Sequence, residues 1–148
     1  MTKAEIKPAS QFRALERWGR AYARIALGAA FLSAVAGRFG LWDRKIDMKY
    51  FFVDFIKYTA EVNSFLPAAA IPAIAWTATV AETSLGILLI AGVGKRWTFL
   101  ASAVLLALFG TAMAISFGLK SPLDYSVFSA SGAATLLALD AWKDRGNN

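Results

Sequence analysis

Two long apolar runs, residues 71–93 and 97–117, constrain the fold of this chain most, because each is long enough to cross a lipid bilayer. The first run carries one charged residue, Glu82, near its middle. An acidic side chain at the centre of a membrane helix costs roughly 2.5–3.5 kcal/mol, so it has to face protein or a water-filled cavity. Glu82 is therefore the first candidate for a functional residue.

The composition of the chain is that of a membrane protein. Hydrophobic residues make up 57% of its 148 residues and charged residues 18%, against about 45–50% and 25% in soluble domains. The net charge is +6, but the basic residues cluster beside the apolar runs. We therefore expect them to bind a membrane surface and not nucleic acid. The length suits one domain, residues 1–148.

The chain contains no cysteine and no histidine. Disulfides, thiolate chemistry and iron–sulfur ligation are excluded, and so are the commonest metal ligand and the commonest general base. We expect no metal site and no catalysis by this chain alone. Any chemistry would rest on carboxylates, basic side chains, tyrosine or hydroxyl groups, or on a bound cofactor or partner.

The apolar periodicity predicts an all-α integral membrane four-helix bundle. Its spans are expected at about residues 21–42, 71–93, 97–117 and 122–142, the last with Ser121 as N-cap and Pro122 at its first position. Two amphipathic helices are expected at the membrane surface, one N-terminal over about residues 10–24 and one extracytoplasmic over about residues 48–66. Residues 1–9 are expected to form a short disordered tail.

Basic residues indicate the orientation of the chain in the membrane. Four spans place both termini on one side, which would hold ten of the Lys and Arg residues, whereas the opposite side would hold six. This excess predicts cytoplasmic termini, with span one acting as an uncleaved insertion signal. The N-terminal helix contributes a basic stripe that either binds anionic lipid or only orients span one: Arg13, Arg17, Arg20 and Arg24.

Small residues recur every fourth position in each predicted span. Such ridges allow close approach of helix backbones in lipid, and they predict a compact bundle with little room for a wide channel. The predicted ridges are Ala29, Ser33 and Gly37; Ala78, Glu82 and Gly86; Gly110, Ala114 and Gly118; and Ser126, Ala130, Ala134 and Ala138.

The candidate site residues are polar groups in or beside the spans. Glu82 could relay protons, bond a quinone oxygen or neutralise a cation, or it could serve only as a structural residue bonded to Ser or Thr. Arg38 is its candidate partner, unless the side chain extends outward to the headgroups. Lys120, Asp124 and Tyr125 could line an outer polar mouth with Arg38, although capping and interfacial anchoring explain them equally.

Three segments resemble the DoxX-like family of small four-span bacterial membrane proteins. They are residues 24–38 (RIALGAAFLSAVAGR), residues 81–86 (AETSLG) with Gly92 and Arg96, and residues 121–131 (SPLDYSVFSAS). The similarity extends over about residues 18–142. Members of this family include subunits linked to quinone-dependent sulfur oxidation and terminal oxidases, and others associated with redox defence. The resemblance implies a membrane protein near redox chemistry, often as a partner subunit.

Three hypotheses about function follow from the residues and the resemblance. The first is a redox-associated subunit that interacts with quinone or docks to an oxidoreductase. The second is a non-catalytic structural or assembly subunit of a larger membrane complex, and the third is a small proton-coupled transporter in which Glu82 is the relay. The expected partners are the lipid bilayer and other membrane subunits or further copies of the chain.

Overall fold

The computed structural model of the protein describes residues 6–44 and 46–146, and in these ranges the regular structure is helical, with no strand. A π-helical segment (Tyr50–Phe55) precedes α2, and a 3-10 turn (Ala68–Ala70) precedes α3. The all-α class predicted from the periodicity is confirmed. The α-helices in these ranges are α1 (Ile6–Arg38), α2 (Ile56–Val62), α3 (Ile71–Ala91), α4 (Lys95–Phe117), α5 (Lys120–Asp124) and α6 (Val127–Gly146).

Helix α1 joins two elements that the sequence suggests separately. The predicted interfacial helix (residues 10–24) and span one (residues 21–42) form a single helix of 33 residues. Its only proline, Pro8, lies in the first turn, where a missing N–H group costs little. The helix ends at Arg38, earlier than the predicted residue 42, and Gly40 follows with a φ of +70°. Of the predicted disordered tail, residues 6–9 are helical and residues 1–5 lie outside the described residues.

The amphipathic helix predicted over residues 48–66 is present but shorter. The backbone is helical from Met48 to Val62, and Asn63 ends α2 by donating from Nδ2 to the carbonyl oxygen of Thr59, at 2.9 Å. Residues 63–66 therefore form a turn before Pro67, the predicted stop. The predicted polar side is exposed throughout, at Lys49, Asp54, Lys57 and Glu61.

Helices α3 and α4 form a hairpin that matches the predicted spans two and three. They are the two helices in the described ranges that are long and apolar enough to cross a membrane. Gly92 and Gly94 in the connecting turn have φ values of +72° and +69°, a left-handed conformation that suits glycine. The amides of Gly92 and Val93 bond to the carbonyl oxygens of Leu89 and Leu88, which completes a glycine C-cap on α3.

The predicted fourth span is interrupted near its start. The short helix α5 ends at Asp124, and Ser126 has a φ of +55° before α6 begins at Val127. Ser121 lies inside α5 and does not cap it, because α5 begins at Lys120 with Leu119 as its N-cap. A left-handed residue turns the chain, so α5 and α6 cannot form one continuous rod. Helix α6 then runs to Gly146, past the predicted end at residue 142.

The bundle consists of two closely packed helix pairs, α1 with α3 and α4 with α6. Gly28 of α1 packs closely against Gly86 of α3, whereas the predicted ridge in span one (Ala29, Ser33 and Gly37) is exposed. In the second pair, Phe128 packs against Gly110, and Ser131 donates to the carbonyl oxygen of Ala103 at 2.9 Å. The shared core contains Leu27, Phe31, Leu89, Phe99, Ala103, Ala134, Leu137 and Ala138.

Candidate functional site

Glu82 belongs to the face of α3 that packs against the rest of the bundle. The buried residues of α3 recur at helical spacing, so they form one stripe along the helix: Ile71, Ala75, Thr79, Glu82, Gly86 and Leu89. Only 2% of the Glu82 side chain is exposed. Because Gly28 allows α1 to approach α3 closely, the C-terminal end of α1 reaches this stripe.

Arg38, the last residue of α1, forms an ion pair with Glu82. Its Nη2 atom lies 2.6 Å from Oε2 and 2.7 Å from Oε1, so both carboxylate oxygens accept a hydrogen bond from the same nitrogen. The Nη1 atom donates to Thr79 Oγ1 at 2.9 Å, and the Thr79 hydroxyl donates to the carbonyl oxygen of Ala75. The structure thus brings together the two residues that the sequence suggests as partners.

Aromatic side chains pack beside this ion pair. The guanidinium carbon of Arg38 lies 4.0 Å from the centre of the Phe55 ring, at cation–π distance. Phe51 is fully buried, stacks on Phe39 with ring centres 5.4 Å apart, and contacts Trp76 at 4.3 Å. Both Phe51 and Phe55 belong to the π-helical segment, and π-helical turns are frequent at functional sites.

The site is closed and its charges are compensated. The Arg38 side chain is 10% exposed and Glu82 is 2% exposed. Cavities of about 380–500 Å³ occur elsewhere in the molecule, and neither residue lines them. An ionised carboxylate only accepts hydrogen bonds, so while Glu82 is paired with Arg38 it cannot donate one to a ligand oxygen. The arrangement therefore suits a lock between α1 and α3, and a ligand or proton could use Glu82 only after Arg38 moved away.

The predicted outer-mouth residues do not join this site. Lys120 and Asp124 form an ion pair with each other one turn apart, and both side chains are exposed. Tyr125 is 74% exposed, and its neighbour Tyr58 has a pKa above the ordinary value because of burial, Tyr125 and Glu61. Arg38 is turned toward Glu82, so it cannot line a mouth with these side chains.

The four arginines of the predicted basic stripe have different surroundings. Arg20 makes ion pairs with two acids of α6, through Nε to Asp140 at 2.6 Å and through Nη1 to Asp144 at 2.7 Å. Burial alone would lower the pKa of Arg20, but Asp144, Asp140 and Glu16 raise it above its ordinary value. Arg17 and Arg24 line a cleft next to this cluster, whereas Arg13 does not.

Several contributing residues are missed by the sequence analysis. Thr79 could have been found, because it lies three positions before Glu82 and shares its helix face. Phe55, Asp140 and Asp144 could not, because their contacts with Arg38 and Arg20 join distant parts of the chain. Within residues 6–44 and 46–146, no three acidic side chains cluster in a way that could hold a metal ion.

Comparisons of this chain with models of protein families, with curated proteins and with solved structures give no match.

Proposed function

We propose that the chain is an integral membrane protein of the bacterial inner membrane with four spans and cytoplasmic termini. The single observation that supports the membrane location best is the outer surface, because each of the four long helices exposes large apolar side chains. A soluble monomer rarely exposes apolar surface to this extent. Examples are Ile25 on α1, Val80 and Ile87 on α3, Leu108 and Ile115 on α4, and Leu136 and Leu139 on α6.

Helices α1 and α6 are the less apolar spans of this proposal. Residues 25–37 carry no charge and measure about 20 Å at 1.5 Å per residue, less than a hydrocarbon core of about 30 Å. Pairing with Glu82 neutralises Arg38, so the uncharged surface of α1 extends into the following turn. In α6, residues 127–139 are likewise uncharged, and Asp140 is paired with Arg20.

We propose further that the chain acts in the membrane as a partner subunit of a redox enzyme. The resemblance to the DoxX-like family supplies the redox association. The ion pair of Glu82 with Arg38 favours a docking role over direct quinone binding through Glu82, because an ionised carboxylate cannot donate a hydrogen bond to a quinone oxygen. Catalysis would then belong to the partner.

Single cysteines test the topology, since the natural chain has none. Asp54→Cys on the exposed side of the π-helical segment should react with a membrane-impermeant maleimide in intact cells. Lys143→Cys should react only after the cells are opened, and Leu139→Cys on the exposed apolar face should stay unlabelled in both cases. Equal labelling of all three positions in a soluble fraction would contradict the membrane location.

A deletion strain tests the redox association. We expect the loss of the gene to lower quinone-dependent respiration on at least one reduced sulfur or organic donor. Both the natural chain and a variant with Arg38→Met and Glu82→Leu should restore it, because the pair acts as a lock. Unchanged respiration on every donor would contradict the redox proposal, and failure of the variant, despite normal amounts in the membrane, would assign Glu82 a direct role.

A structural or assembly subunit is the second candidate, favoured by an apolar crevice on the exposed side of the α3–α4 hairpin. The crevice has a volume of about 380 Å³ and a lining of small and apolar residues that includes Ala73, Ala78, Ala81 and Leu108. Native electrophoresis of gently solubilised membranes distinguishes this role, since a species of 16.0 kDa alone would exclude stable complexes.

A proton-coupled transporter is the weakest of the three hypotheses, because the carboxylate of Glu82, which would relay the proton, is already paired with Arg38. Proton flux into liposomes that is abolished by Glu82→Gln, but not by Glu61→Gln at the exposed face of α2, would reverse this ranking.

A further inference from the structure

A cleft of about 500 Å³ lies where α1, the α3–α4 turn and the C-terminal part of α6 meet. It is separate from the Arg38–Glu82 site, because Arg24 and Arg38 are about 20 Å apart along α1 at 1.5 Å per residue. The charged side chains that line it are Arg17, Arg20, Arg24, Lys95, Asp140 and Asp144. Four cations and two carboxylates leave the lining with a positive balance of two.

The two carboxylates of the cleft are already engaged by one arginine. Asp140 and Asp144 both bind Arg20, at 2.6 Å and 2.7 Å. Among the side chains that the structure describes, Arg17, Arg24 and Lys95 form no ion pair with a carboxylate. The cleft therefore presents three cations without a carboxylate partner around one volume, and after the one excess negative charge of the Arg20 cluster is counted its balance of two positive charges still favours an oxygen anion.

The backbone at Gly92 positions one of these cations. A Cβ atom at this position would lie 1.8 Å from Arg24 Nη1, so the guanidinium rests directly on the glycine. Gly92 also has a φ of +72°, which disfavours any other residue. Lys95 is the first residue of α4, and the positive end of the helix dipole adds to the potential at this edge of the cleft.

We propose that this cleft binds a phosphate group, either the headgroup of an anionic phospholipid or free phosphate. Guanidinium groups bind phosphate oxygens through paired hydrogen bonds, and lysine adds a compact positive charge. The lipid source rests on the proposed membrane location: Arg24 immediately precedes the uncharged residues 25–37, so the cleft would lie at the depth of the headgroups. The free-phosphate source does not depend on that location.

Two basic residues outside the cleft provide matched controls. Arg13 belongs to the same basic stripe of α1 but does not line the cleft. Arg96 follows Lys95 and lies over the Trp97 ring at 5.5 Å, also outside the lining. Removal of either charge changes the net charge of the protein as much as removal of Arg17 or Arg24, so general electrostatic attraction would respond equally to all four.

The experiment measures thermal stabilisation of the purified full chain in a non-ionic detergent. It compares titrations with phosphatidylglycerol, phosphatidylcholine and inorganic phosphate at constant ionic strength. We expect the Arg17→Gln/Arg24→Gln variant to lower the affinity for phosphatidylglycerol at least about tenfold, the loss of about one charged hydrogen bond. The Arg13→Gln/Arg96→Gln variant should change that affinity less than about twofold, the range of a screened surface charge.

The outcomes separate the two sources and can overturn the site. Stabilisation by phosphatidylglycerol with this variant pattern supports a lipid headgroup, and the same pattern with inorganic phosphate alone supports a soluble ligand. Equal losses in both double variants, or no difference between phosphatidylglycerol and phosphatidylcholine together with no effect of phosphate, overturns the proposal. The membrane location is tested separately. If alkaline carbonate extracts the natural chain from membranes, the proposed membrane location fails.

Gly92→Ala tests the placement of Arg24 without changing any charge, in case the arginine variants fold poorly. The added methyl group would displace the guanidinium, so the affinity for the anion should fall several-fold. Gly94→Ala is the matched control, because Gly94 has a similar φ of +69° in the same turn and its Cβ would meet Thr98, not Arg24. Equal affinities in the two glycine variants would contradict the positioning of Arg24.

Discussion

The buried ion pair between Arg38 and Glu82 explains how an acid is tolerated in an apolar helix. Each partner alone would be a costly buried charge, whereas together they satisfy each other and Thr79. A buried pair of this kind often contributes little net stability, because the desolvation of both charges offsets their attraction. What it provides is a fixed register between the end of α1 and the middle of α3.

Removal of one partner should therefore destabilise the protein much more than removal of both. We expect Glu82→Gln to destabilise the protein by about 3 kcal/mol, since Arg38 stays buried without its counter-charge. The double variant Arg38→Met/Glu82→Leu should lose less than about 1 kcal/mol or gain stability. Thermal unfolding in detergent measures both, with Glu61→Gln on the exposed face of α2 as the control. Equal losses in the single and double variants would contradict a structural lock.

At the scale of the helices, glycines decide how closely α1 and α3 approach. A Cβ atom at Gly28 would lie 2.9 Å from the carbonyl oxygen of Gly86, and one at Gly86 would lie 2.8 Å from Leu32 Cγ. The backbone oxygen cannot rotate away as a flexible side chain can. The two helices would have to separate, which would also lengthen the Arg38–Glu82 contact.

Gly28→Ala should consequently destabilise the protein by about 1–3 kcal/mol, the usual cost of overpacking. Gly132→Ala is the control, because nothing lies within 4 Å of its Cβ position. Since alanine is the better helix former, that control should gain up to about 1 kcal/mol. Unfolding midpoints of both variants check the prediction, which fails if Gly28→Ala is as stable as the natural chain.

The break between α5 and α6 depends on Ser126, whose φ of +55° is unfavourable for a residue with a side chain. Ser126→Gly should relieve this strain and raise the stability by about 1 kcal/mol. Ser129→Gly, at an exposed position inside α6, should instead lower it by a similar amount. The same sign for both substitutions in thermal unfolding would show that Ser126 is not strained.

At the scale of the whole molecule, polar contacts between distant elements lie at both ends of the bundle. At one end of the bundle, Arg20 of α1 binds Asp140 and Asp144 of α6. At the other end, Ser116 of α4 donates to the carbonyl oxygen of Val62 in α2, at 2.6 Å. These contacts close the bundle at both ends of the shared apolar core.

The Arg20 cluster should be sensitive to salt. Its side chains are about one-third exposed or more, so Asp140→Asn should cost less than about 1 kcal/mol at low ionic strength. The difference from the natural chain should shrink as salt is raised toward 1 M, where the Debye length is about 3 Å. Glu16→Gln, which removes only a contact of 3.5 Å, serves as the weaker comparison. A difference that is independent of salt would contradict an electrostatic contact.

Local patterns predicted the elements whose shape is determined by neighbouring residues. The apolar runs predict α3 and α4, the glycines between them predict the turn, and the alternation of polar and apolar residues predicts the exposed face of α2. Local patterns failed at the continuous α1 and at the break near Ser126. In α1 no proline interrupts residues 9–38, so the two predicted segments share one helix, and at Ser126 a single left-handed residue separates α5 from α6.

The sequence by itself determined that this chain is helical, that two of its helices are long and apolar enough to cross a membrane, and that Glu82 needs a partner. The sequence suggested Arg38 as that partner, but only the tertiary structure decided that the two residues meet and that Asp140 and Asp144 bind Arg20. Arg38 and Glu82 are 44 positions apart, and Arg20 and Asp144 are 124 apart. Ion pairs over such separations depend on how the helices pack, and no local pattern of residues encodes that arrangement.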